Sequence, residues 1–140
     1  MVNISFKVDN GKAQKMVNSA INAMKDFSAP LKLSREYELN EVRKQFVTRG
    51  SNITGQRWAK RKKPVSWGIL EKTGKLKGSF RQSKLTKNDL EITSPVKYFR
   101  FHQMGTRKMP KRQILGFSEK MKKGILNIFH KYLTKKIKNG

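Results

Sequence analysis

A chain of 140 residues with 33 Lys and Arg against nine Asp and Glu, a formal net charge of +24, repels itself and is expected to meet phosphate, an acidic protein face or an anionic lipid surface. With 36% hydrophobic and 30% charged residues, it holds apolar material for one globular domain over 1–140, with a modest core. It has no cysteine, which excludes disulfides and thiolate metal sites, and no apolar run long enough for a secretion signal or a bilayer span, so a cytosolic protein without a membrane partner is expected.

Val2, Ile4, Phe6 and Val8 alternate with polar residues, the period of a half-buried strand over 2–8. Over 12–27 the residues Ala13, Met16, Val17, Ala20, Ile21, Ala23, Met24 and Phe27 recur every three or four positions and predict an amphipathic helix, capped by Asp9 or Asn10. Pro30 is expected to break that helix and Ser34 to start a second, with Glu36, Glu38 and Glu41 in its first turns and Leu39, Val42 and Phe46 on its apolar face. This acidic patch has two readings: compensation of the helix dipole, or a docking face for a basic surface of a neighbouring copy. Residues 50–67 are predicted to form a long exposed basic loop carrying Arg57, Lys60, Arg61, Lys62 and Lys63. Within it Trp58 suits a packing anchor better than a base-stacking platform.

Ile69 and Leu70 lead into Thr73-Gly74-Lys75-Leu76-Lys77-Gly78, which fits neither a P-loop nor a KH clamp and is assigned as a structural turn. Residues 79–86 and 90–96 form a hairpin around a tip at 87–89, and 98–102 is expected to extend the sheet. A last helix over 118–138 begins at Ser118, buries Met121, Ile125, Ile128, Phe129, Tyr132, Leu133 and Ile137, and turns its lysines outward. That lysine face is either simply solvated or a basic surface for nucleic acid or lipid. The resulting class is α+β: a mainly antiparallel sheet packed against two or three amphipathic helices, with a long basic loop.

The most distinctive run is 94–117. Tyr98, Phe99 and Phe101 lead into His102-Gln103-Met104-Gly105-Thr106, and a basic tract with Pro110 and Arg112 then reaches Ile114-Leu115-Gly116-Phe117. Taken in order with Trp58, Ile69-Leu70 and Thr73-Gly74-Lys75-Leu76, these residues resemble the tailed-bacteriophage virion morphogenesis family, also called tail-completion proteins. That family's pattern has a tryptophan, an Ile-Leu pair before Thr-Gly and leucine, a tyrosine leading to His-Gln-x-Gly, and Pro-x-Arg before Leu-Gly. The resemblance covers the middle and last thirds of the chain. Lys111 and Gln113 depart from it, since small residues and proline are usual beside the arginine. It implies a structural protein of the virion neck or tail, present in the host cytoplasm during assembly. There it would complete the tail or join it to the head as a ring subunit, with head-tail connector and tail tube or terminator proteins as partners.

Nothing points to catalysis. His102 and His130 are the two histidines, with no cysteine or carboxylate pair beside either, and no serine lies in a nucleophile elbow, so no enzyme, metal or cofactor is expected. His102, Gln103, Gly105 and Thr106 would shape the turn, and with Arg107, Lys108, Lys111 and Arg112 would form a partner or oligomer interface. Trp58, Gly74, Leu76 and Tyr98 are assigned structural roles. If a ring surrounds the genome channel, Arg57, Lys60, Arg61, Lys62 and Lys63 would line it and contact packaged DNA without reading sequence. The alternative is a small basic nucleic-acid-binding protein acting through sequence-independent phosphate contacts.

Overall fold

Helix α2, Ser28–Val47, is the element on which the rest is laid in the computed structural model, which describes residues 11–138. Pro30 does not break a helix. It sits in the first turn of α2, where its missing N–H breaks no intrahelical bond. Ser34 does not start one either, for its Oγ lies inside α2 and donates to Pro30 O at 2.9 Å. The three glutamates therefore fall in mid-helix, with Glu36 exposed and Glu38 and Glu41 buried.

The first helix, α1 (Gly11–Ala23), ends before the expected Phe27. Phe27 instead donates its N–H to Lys87 O at 2.8 Å, which ties the α1–α2 corner to the hairpin tip. The expected strand over 2–8 and the cap from Asp9 or Asn10 lie outside the described residues. The loop over 50–67 opens with a single helical turn, α3 (Ser51–Thr54), and is otherwise irregular.

Strands β1 (Arg81–Leu85) and β2 (Leu90–Thr93) pair antiparallel, with Gln82 opposite Ile92 and Leu85 opposite Leu90, and an irregularity at Ser83. Thr86 Oγ1 closes the tip by accepting from the N–H groups of Asn88 and Asp89. The segment 98–102, expected as strand, is instead part of helix α4 (Phe99–Met104). The aromatics suggested a strand, but the inward-turned positions are Phe99, His102 and Gln103, a three-and-four spacing, while Phe101 is exposed. The last helix, α5 (Glu119–Lys138), starts as expected, with Ser118 Oγ accepting from Met121 N–H at 3.2 Å. The class is thus α+β, and among the described residues the sheet is two-stranded and helix predominates.

The core gathers Val42 and Phe46 of α2 with Trp58, Leu76 and Ile114, so three irregular segments meet one helix face. Phe46 meets the Trp58 ring edge-on at 5.5 Å, and Phe80 bridges from Phe46 to Phe99 at 6.2 and 5.2 Å. On the other side α5 packs on α1 and α2. Gly124 allows that approach: a Cβ there would stand 2.5 Å from the Tyr37 ring. Among the described residues no helix is long and apolar enough to cross a membrane.

Candidate functional site

The run from α4 to α5 contains little regular structure, yet side chains hold its backbone at nearly every step. Gly105 closes α4 at φ 75°, and a Cβ there would lie 2.9 Å from the backbone nitrogen of Lys111, so both its conformation and its space require glycine. Thr106 and Met109 exchange backbone hydrogen bonds at 2.9 and 3.2 Å, and Thr106 Oγ1 also accepts from Met109 N–H. This small turn projects Arg107 and Lys108 into solvent, with Lys111 exposed just beyond it. Arg112 N–H then returns to His102 O at 2.7 Å.

From there three amides and an indole take over. Gln103 Oε1 accepts from the N–H groups of Ile114 and Leu115 at 2.8 and 3.0 Å, and its Nε2 donates to Leu115 O at 2.8 Å. Leu115 O also accepts from Gln113 Nε2. Gln113 O accepts from Gln45 Nε2 of α2 at 2.7 Å and from Trp58 Nε1 at 2.8 Å. Gln45 Oε1 in turn accepts from Ile53 N–H of α3. These bonds satisfy buried backbone groups that no strand or helix would otherwise pair.

The residues singled out in the sequence divide accordingly. Arg107, Lys108 and Lys111 are exposed, whereas Arg112 is buried and donates twice to Ala59 O, at 3.1 and 2.9 Å. Arg112 therefore holds the loop over 57–63 and is not presented outward. Trp58 and Leu76 are buried in the core, Gly74 sits at φ 72° in its turn, and Tyr98 is half-exposed beside His102. Of the five cations in the first loop, Arg57, Lys60, Lys62 and Lys63 are exposed, while Arg61 is partly buried with Nη2 free of any partner. His102 Nδ1 is likewise buried without a partner, and burial, helped by the nearby Arg112 charge, lowers the pKa of the imidazole.

Sequence reasoning missed Gln45, Gln113 and the fates of Glu38 and Glu41. The available signal was a polar side chain interrupting the apolar stripe of α2 beside Val42 and Phe46. Glu41 is held by Asn52 Nδ2 at 2.8 Å and Lys44 Nζ at 3.2 Å; burial works to raise its pKa, but those bonds prevail and lower it. Glu38 has no such support. Its Oε1 lacks a partner, and burial, with the Glu41 charge adding to it, pushes the carboxyl up to about 7. It borders a cleft of about 490 Å³ shared with Glu91, Ile92, Leu115 and the exposed Phe117.

No group of His, Asp or Glu among the described residues is placed to hold a metal ion. Compared with known proteins, residues 8–134 match the model of the phage virion morphogenesis family. No curated protein and no solved structure matches the chain.

Proposed function

The chain belongs to the phage virion morphogenesis family and serves in building the phage particle, and from that premise we propose that it completes the tail or joins it to the head as a subunit of a ring. The observation that favours this reading is the pinned segment after α4. Arg107, Lys108 and Lys111 are exposed cations on a backbone fixed by buried hydrogen bonds, which suits a preformed docking surface for a protein partner. In a closed ring that surface meets a different patch on the next subunit, and the cleft beside Glu38 holds an unpaired carboxyl whose ionisation a lysine or arginine from such a neighbour would favour. The role is structural, without turnover, at the neck or tail of the virion.

The proposal is tested by the mass of the purified protein in light scattering, with particle morphology followed in a lysate lacking the gene. A ring, or a monomer that becomes one on connector or tail-tube proteins, together with accumulation of unjoined heads and tails, is the expected result. Normal virions from the deleted phage would sink it. The exposed Arg57, Lys60, Lys62 and Lys63 favour a second reading, in which the chain binds nucleic acid through phosphates alone. A monomer whose affinity for duplex DNA falls steeply with salt, beside normal assembly when those four are changed to serine, would select it.

A further inference from the structure

Two of the three buried side-chain polar atoms that lack a partner among the described residues, Arg61 Nη2 and His102 Nδ1, belong to side chains lining one recess. It measures about 370 Å³ and lies between α4 and the loop over 61–76. Lys72 and Thr73 line it as well, and its walls include the rings of Trp67 and Tyr98. Lys72 Nζ stands 5.5 Å above the Trp67 ring, and Tyr98 meets the His102 imidazole edge-on at 6.0 Å. Arg112, bound to Ala59 O, adds its charge from behind and influences both His102 and, reciprocally, Arg61. No carboxylate lines the recess, and the neighbouring Glu71 is engaged by Lys77 at 2.8 Å.

Like charges gathered against aromatic walls repel one another, and the buried Arg61 Nη2 donor, without an acceptor, costs the stability of a hydrogen bond not made. An oxyanion relieves both. It would accept from the Arg61 guanidinium, the Lys72 ammonium and the Thr73 hydroxyl, in a setting where apolar walls weaken screening. Leu70, which also borders the recess, has a left-handed backbone at φ 65°, an uncommon conformation for a leucine. We propose that this recess is a binding site for a phosphate group, either free or in a nucleic-acid backbone, with Arg61 as its principal ligand. The site stands whether or not the chain closes into a ring.

The test uses the two histidines as built-in probes. Inorganic phosphate is titrated into the full chain at constant ionic strength while the imidazole signals are followed by NMR. The His102 signal should move saturably and its pKa should rise, because a bound anion favours the imidazolium; His130 on α5 serves as the reference for diffuse charge effects. Arg61→Met should weaken the His102 response about tenfold, the loss of one charge-assisted hydrogen bond. Arg61→Lys should restore part of it, and Arg57→Met, on the exposed part of the loop, should leave it unchanged. A short duplex without terminal phosphates distinguishes the sources. If it also moves His102 in an Arg61-dependent way, the ligand is a backbone phosphodiester; if only inorganic phosphate does, the recess takes a free or terminal phosphate. Parallel movement of His102 and His130, or a response unaltered in Arg61→Met, overturns the proposal.

Discussion

The segment from Gly105 to Phe117 and the pair formed by α1 and α5 invert the usual association of regular structure with firm packing. The first is almost wholly irregular, yet Ile114 is fully buried and side chains of Gln45, Trp58 and Gln103 hold its backbone. The second is regular throughout, but its buried positions are Ala23 and Met121, while Met16, Ile21 and Leu126 are largely exposed. Helices satisfy their own backbone hydrogen bonds, whereas an irregular segment persists only if the rest of the fold satisfies its backbone. The firm part of this protein is therefore the one that presents Arg107, Lys108 and Lys111. The loosely covered part leaves Met16, Ile21 and Leu126 in contact with solvent.

The sharpest way to break the contrast is Gln103→Ala. It strips the acceptor from two backbone N–H groups, and a loss of about 3–5 kcal/mol in chemical denaturation is expected from two buried donors left unpaired. Gln103→Glu retains an acceptor and should lose less.

A pH effect comes next. The Glu38 carboxyl is raised in the folded chain from its usual 4.5 to about 7, so the folded chain keeps a proton that the unfolded chain releases. Its contribution is complete below 4.5 and lost as pH rises through about 7, a swing of at most about 3 kcal/mol. Glu38→Gln, neutral throughout, should exceed the parent in melting temperature at pH 8 and match it at pH 4. Equal melting temperatures at both values would remove the proposed penalty. Gly105→Ala, strained by its positive φ and by the Lys111 backbone, should cost about 2 kcal/mol. Last, Ile21→Ser and Leu126→Ser should each change the stability of the lone chain by less than about 0.5 kcal/mol. If that helical pair faces a partner, the same changes should impair assembly out of proportion to their effect on folding.

The hairpin, the helix capped by Ser118 and the buried Trp58 were all legible in the sequence, because period, turn chemistry and capping act over a few residues. Residues 98–102 were not: strand propensity of the aromatics was outweighed by the tertiary placement of Phe99 and Gln103. Pro30 misled for a related reason, since a proline ends a helix or begins one according to where the preceding segment stops. In the candidate site, the sequence located the run after Tyr98 but could not separate Arg112, turned inward, from Arg107 and Lys108, turned outward. That distinction depends on Ala59, whose carbonyl is brought beside Arg112 by the fold alone.

The carbonyl of Gln113 has both of its lone pairs engaged, one by α2 through Gln45 and one by the indole of Trp58. Each of those elements leaves only by breaking its own bond to that oxygen, and Phe46 of α2, Trp58 and Ile114 are packed in one core cluster. Opening is therefore cooperative, and α2, the 58 region and the 113–115 strip should behave as one unit in native-state hydrogen exchange. The amide protons of Ile114 and Leu115, though outside every helix and strand, should then be among the slowest to exchange, leaving only when the whole molecule unfolds.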